Sequence, residues 1–475
     1  MKHASLALSL ALAFAAAFLV SSAGGEDWLH WRGPDGNSAA ASGANPPLSW
    51  SETENVAWKV AVPGRGSASP VVWGDRIFVA TAVPADADAG SEPGEGSAPS
   101  TPSAPRGGRG RAEGGEGSAG VRPGGRRGRG GSRGGGETAI SVQRFTLLCY
   151  DRSSGKLLWE RVAAETQPTE GHHHDHGFAS ASPMTDGERV YAHFGSRGIF
   201  AYTLEGEPAW AYTEFEPMRT RSGFGEGSSP ALHGDTVLIP WDHEGDSYLL
   251  ALDKKSGTAK WKAARPGETT TWGTPLAVRH EGRTQVVLTG QGYVRSYDLE
   301  TGEELWRCSG QTERPVASPV SLGELVFVGS GFRGAYLGAF HLGGRGDLGG
   351  SSSVVWSVDR NTPDIPSPAL SDGRLYYLAG RECAVTCLDA LTGNVHFERE
   401  RIDGVGQVYA SPVAAGGHLY IFGRDGTAAV IRDSEEFSLV GLNRLGEGVD
   451  VTPAATGGDL IVRGERHLYR ISATE

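Results

Sequence analysis

Four histidines and a carboxylate crowd into Gly171-His172-His173-His174-Asp175-His176-Gly177. Imidazole nitrogens and carboxylate oxygens are ligands for transition metals, so this is the first place to look for chemistry. Successive side chains of an extended loop point to opposite sides, so one such loop supplies only two or three ligands. A second donor-rich segment, Trp241-Asp242-His243-Glu244-Gly245-Asp246-Ser247, could complete the shell. The metal set to test is therefore His174, His176, Asp242 and His243. The stronger expectation is a solvated polar loop whose histidines bond the backbone, because the spacing matches no known zinc site. No Gly-x-Ser-x-Gly elbow or phosphate-cradling loop stands where a strand–helix unit could use it.

A wider set of residues suits recognition rather than bond-making. Arg219, Arg221, Trp241, Trp272, Arg314, Asp364, Tyr409 and Asp450 mix guanidinium, carboxylate and aromatic groups in or near inter-strand connections. Gathered around one opening, they would suit a peptide or sugar ligand.

The elements that would gather them are repeated. A hydroxyl residue precedes a proline at Ser69, Ser182, Ser229, Thr274, Ser318, Ser367, Ser411 and Thr452. After the first, the intervals are 41 to 49 residues, the length of a four-stranded propeller blade. Blade 4 shows the pattern, with strand A opened by Thr274-Pro275, strand B over 284–289, strand C over 293–298 and strand D over 304–308. Its C–D corner, Asp298, Gly302 and Trp306, recurs as Asp151, Gly155, Trp159 and as Asp253, Gly257, Trp261. It recurs again, with phenylalanine for tryptophan, as Asp389, Gly393, Phe397. The carboxylate accepts turn N–H groups, glycine takes the positive φ, and the aromatic ring can pack on the next blade. The last unit, Thr452 to Ser472, offers only three strands, whereas Glu54 to Val60 reads as an isolated strand D. The expected fold is an all-β, eight-bladed propeller of four-stranded antiparallel blades, closed by the N-terminal strand completing blade 8. D-to-A connections and B-to-C turns then share one face, which carries the histidine loop and the Trp241–Ser247 turn.

Residues 1–23 read as a secretory signal: Lys2 and His3, an apolar run to Val20, then Ser21-Ser22-Ala23. Residues 24–53 form an N-terminal extension, and 54–475 the propeller. Residues 84–137, with eight arginines between Arg106 and Arg133, read as a disordered Gly/Arg/Ser/Pro-rich insert in the B-to-C connection of blade 1. The net charge of -12 disfavours nucleic acid as a partner. Four cysteines at unpaired spacings are expected to be buried free thiols. After signal cleavage no transmembrane segment is expected.

The Asp-x-x-[Ser/Thr]-Gly-x-x-x-Trp corners resemble the pyrroloquinoline quinone (PQQ)-type repeat, over about 54–475 without the insert. That repeat builds eight-bladed quinoprotein dehydrogenases and non-enzymatic BamB-like propellers of outer-membrane assembly. Asp27-Trp28-Leu29-His30-Trp31-Arg32-Gly33-Pro34, the Trp241 segment and Arg466-His467-Leu468-Tyr469 resemble exported PQQ-like repeat proteins of unassigned function. The quinoprotein resemblance implies a vicinal cysteine pair, which this chain lacks. The BamB resemblance implies a lipid-accepting cysteine, yet the first cysteine here is Cys149. The expected function is an exported, monomeric, non-enzymatic scaffold, periplasmic or extracellular, binding a protein or polysaccharide of the cell envelope. No cofactor is expected. The alternatives are a PQQ- or metal-dependent oxidoreductase and a carbohydrate-binding propeller.

Overall fold

The computed structural model describes residues 27–65, 67–86 and 140–473. The secretory signal and nearly all of the insert lie outside the described residues. Among the described residues, eight blades of antiparallel strands follow one another along the chain, and helix is confined to two short 3-10 turns, Gly195–Arg197 and Arg221–Gly223. Within each blade the strands run A to D from the inside outward, as in blade 3: Ala231–His233, Thr236–Trp241, Tyr248–Asp253 and Ala259–Ala264. Strands B and C are almost wholly buried, because each blade is covered on both faces by its neighbours.

The ring closes as the sequence predicts. Val56–Ala61 pairs antiparallel with His467–Ser472 and becomes strand D of blade 8. Trp58 then behaves like any other strand-D tryptophan, its indole N–H donating to the carbonyl of Arg152 at the next corner (2.9 Å). Trp159, Trp210, Trp261 and Trp356 repeat that bond at 2.8–3.0 Å to Leu204, Lys254, Leu299 and Ala390. At the Asp151, Asp253, Asp298 and Asp389 corners the carboxylate accepts a backbone N–H, as Asp253 does from Ser256 (2.8 Å), whereas in the shorter blade 2 corner the Thr203 hydroxyl accepts from the Glu207 N–H (3.2 Å). The glycine beneath the ring is obligatory: Gly257 has φ +73°, and a Cβ there would lie 2.5 Å from Trp210. Blade 4 departs from the pattern. Its Trp306 turns inward to Gln285 (3.0 Å), and Gly346–Asp347, from the expanded C–D connection of blade 5, pairs in parallel with its outer edge.

The hydroxyl before each proline has a structural cause. The N–H of Ser69 donates to the hydroxyl of Ser182, and Ser182 to Ser229 (3.0 and 2.9 Å). Thr274, Ser318, Ser367 and Ser411 continue blade by blade to Ser318, Ser367, Ser411 and Thr452 (2.9–3.1 Å). Strand A lies innermost, with no inner strand to satisfy these buried donors, so a side chain of the adjacent blade does so.

The N-terminal extension has a role that its sequence did not disclose. Trp28 pairs with Val72 of blade 1, Leu29 accepts from Thr185 of blade 2 (2.9 Å), and His30 contacts the Pro230 carbonyl of blade 3 (3.2 Å). The Trp31 indole donates to Thr274 of blade 4 (3.1 Å), and Asn37 exchanges two bonds with Ser321 of blade 5 (3.0 and 2.9 Å). Asn37 also accepts from Leu370 of blade 6, Ser38 donates to Pro412 of blade 7 (2.7 Å), and Asn45 donates to Gly457 of blade 8. A segment bonded in turn to all eight blades, at or next to their innermost strands, lies inside the channel they enclose. It therefore stoppers the ring.

Candidate functional site

On the face of the D-to-A and B-to-C connections the stoppered channel opens as a blind funnel of about 320 Å³. Trp31 forms part of its floor, with the hydroxyl-bearing residues of the interblade ring around it. Aromatic side chains line the wall: Phe224, Trp272, Phe332 and Tyr409. Arg314, Arg381, Asp364, Asp450 and Asp175 supply the charge, and His173 lies beside them with its pKa lowered by burial.

Of the residues expected at the opening, Trp272, Arg314, Asp364, Tyr409 and Asp450 line it. Arg219 and Arg221 lie outside the lining, Arg221 within 3.9 Å of Glu313. Trp241 corrects the expectation. It ends strand B of blade 3, is fully buried, and stacks between Phe215 and Tyr248.

The histidine loop reaches across the mouth. Asp175, from the connection entering blade 2, accepts the Tyr409 phenol (2.9 Å) and pairs with Arg424 (3.0 Å), both of blade 7. Arg424 also grips Asp450 with two bonds, at 2.7 and 3.0 Å, and its guanidinium lies 4.0 Å over the Tyr409 ring. Arg65 donates to the His174 carbonyl (2.8 Å), pinning the loop from the blade 1 side. Partial burial opposes ionisation of Asp175, but the Tyr409 and Arg424 bonds outweigh it and hold its carboxyl below the usual aspartate range. Burial, then the Asp175 bond, push the Tyr409 phenol up to about 12, so it stays a donor.

The four proposed metal ligands are not assembled. Both oxygens of Asp242 are bound by Arg265 (2.7 and 3.0 Å) in a fully buried pair, and Thr271 adds a third bond (2.8 Å). Arg265 continues to the Tyr297 hydroxyl and the Thr289 carbonyl. His243 faces the backbone N–H of Arg219 (3.2 Å), and burial lowers its pKa. In the neutral form that burial favours, the His176 Nε2–H donates to the Phe224 carbonyl (2.6 Å) and Nδ1 is an acceptor facing the Ser180 hydroxyl (2.9 Å). Among the described residues, His173, His174 and Asp175 do bring ligand atoms within 4.8 Å of one another. A metal there would have to displace the arginine that already neutralises Asp175.

The donor set does not fit a quinone with its metal. Cys149, Cys308, Cys383 and Cys387 are buried free thiols, and none lines the funnel. Asp175 and Asp450 are held by Arg424, which leaves Asp364 as the one lining carboxylate without an ion pair within 4.0 Å among the described residues. A single free carboxylate falls well short of the roughly six to eight oxygens that a calcium ion takes.

Sequence reasoning missed the floor residue Trp31 and the rim residues Arg381, Phe224 and Phe332, and it named Asp175 only as part of the histidine segment. The B-to-C turns that carry Phe332 and Arg381 were assigned to the right face, which was the available signal.

No curated protein matches the chain by sequence. Among solved structures, the quinohemoprotein alcohol dehydrogenase of Comamonas testosteroni superposes with a TM-score of 0.57 at 9% identity, covering 95% of this chain and 81% of that one. A europium-containing methanol dehydrogenase gives 0.54 at 11%, covering 93% and 89%. BamB from Moraxella catarrhalis gives 0.47 at 12%, covering 70% and 94%. At these identities the likeness is one of fold. In sequence, the family described as outer membrane protein assembly factor BamB matches residues 111–264 and 242–348, together half of the chain. With its eight closed blades and repeated corners, this chain belongs to that PQQ-type β-propeller family.

Proposed function

We propose that the chain is an exported binding propeller that engages its partner through the blind funnel, without catalysing a reaction. The observation that carries this reading is the funnel itself: a channel stoppered by the protein's own N-terminal segment and walled by aromatic and charged groups. Such a surface suits insertion of a small group, side chain or chain end. The secretory pattern of residues 1–23 supports export, and the family's description supports a protein partner in the envelope. Among the described residues no helix is long and apolar enough to cross a membrane. The oxidoreductase alternative is weakened by the donor set at the mouth. A photo-crosslinking residue at position 381 or 272, in the native host, is expected to yield a discrete adduct. One at Lys255, on the opposite C–D turn, is expected to yield none. Equal labelling from both faces, or none from the funnel, would refute the reading.

A further inference from the structure

The funnel holds charged groups that the protein itself leaves unmatched. Arg314 lines it, stacks 3.8 Å over Phe332, and has a buried Nε without a hydrogen-bond partner. Its backbone sits at φ +50°, a conformation that side-chain-bearing residues rarely adopt and that recurs at binding sites. Arg381 stands at the mouth, 5.5 Å over the Tyr409 ring, with no ion pair among the described residues. Asp364 shares the cavity. A Cβ on Gly331 would come within 3.1 Å of its Cα and Cβ, so that glycine makes room for it. Burial raises the carboxyl's pKa even though Arg381 and Arg314 act against the shift, so both guanidiniums are near enough to be felt yet form no salt bridge with it. A carboxylate and two guanidiniums that share an aromatic funnel without pairing with one another are complementary to a ligand with an ammonium, a carboxylate and an apolar body.

We propose that the funnel binds a free α-amino acid with a large apolar side chain, its ammonium on Asp364, its carboxylate on Arg314 and Arg381, and its side chain against Phe224, Trp272 and Phe332. The volume, at the small end for ligand pockets, suits one such residue. This inference rests on the reading of the funnel as the binding face, not on the partner there being a protein, and names a small molecule as what the funnel takes.

The test is isothermal titration calorimetry on the full chain with four probes: L-phenylalanine, N-acetyl-phenylalanine, phenylalaninamide and N-acetyl-phenylalaninamide. L-Phenylalanine is expected to bind, and masking either charge to weaken it about tenfold or more. Asp364→Asn should erase the penalty for the acetylated probe alone, and Arg381→Gln should shrink the penalty for the amide alone. A dipeptide, phenylalanyl-phenylalanine, should bind more weakly than the single residue. Equal binding of the doubly masked probe, tighter binding of the dipeptide, or no binding of any probe would overturn the proposal. Funnel crosslinks with no probe binding would leave the partner face standing and sink only the amino-acid inference. Probe binding without crosslinks would do the reverse.

Discussion

Replacing Gly257 by alanine tests how the blades are joined. Gly257 has φ +73°, and its Cβ position lies 2.5 Å from the Trp210 ring of the preceding blade. Alanine in the left-handed region costs about 1 kcal/mol or somewhat more by backbone sterics. The indole must also move, which strains its 2.8 Å bond to the Lys254 carbonyl, worth about 1 kcal/mol net, and opens packing worth another 1–2 kcal/mol. The sum is about 3–4 kcal/mol. Gly234, in the A–B turn of the same blade, has φ +58° and nothing within 4 Å, so Gly234→Ala should cost only the backbone part, about 1 kcal/mol. Urea unfolding of both variants, repeated in a Trp210→Ala background, measures the difference. There Gly257→Ala should fall to about 1 kcal/mol, a coupling of about 2–3 kcal/mol with the ring. Equal costs for the two glycines, or no change on removing Trp210, would refute the idea that the corner glycine exists to receive the neighbour's tryptophan.

Three further outcomes are expected. Asp242→Ala strands a fully buried Arg265 and should destabilise the protein by about 3–5 kcal/mol, whereas Asp242→Leu with Arg265→Met should recover most of that loss in the same unfolding assay. Ser367→Ala deprives the buried Ser318 N–H of its acceptor and should cost about 1–3 kcal/mol, while Ser153→Ala at an exposed corner should be near neutral in thermal melts. Because the Asp175 carboxyl titrates below its unfolded value, its contribution to the clasp is complete above about pH 4 and is lost as pH falls through the lower folded value. The protection factors of 171–177, corrected for the intrinsic pH dependence of amide exchange, should therefore fall in acid. Asp175→Asn should show the low protection already at pH 7, and unchanged protection there would mean that the Arg424 pair does not hold the loop.

The blade count, the strand order, the tryptophan corners and the ring closure could all be read from the chain. Each rests on local rules: a turn aspartate, a positive-φ glycine and an aromatic residue at constant spacing, repeated until the eighth unit runs short of a strand. The placement of Trp272, Arg314, Asp364, Tyr409 and Asp450 at one opening follows from connectivity alone. What connectivity does not reach is pairing. Asp242 looks like a ligand beside His243, yet its partner Arg265 lies two strands later, and nothing in either segment announces the bond.

The linear order of residues thus determined the architecture and the face on which a site could form. Only the tertiary structure decided that residues 27–45 stopper the channel, that Asp175 clasps Tyr409 and Arg424 across 234 and 249 positions, and that Arg314, Arg381 and Asp364 share one funnel. The physical reason is range. Turns and hairpins are dictated by neighbours within a few residues and leave a periodic trace. Contacts across a closed ring join segments with no spacing in common, and they exist only once all eight blades have packed.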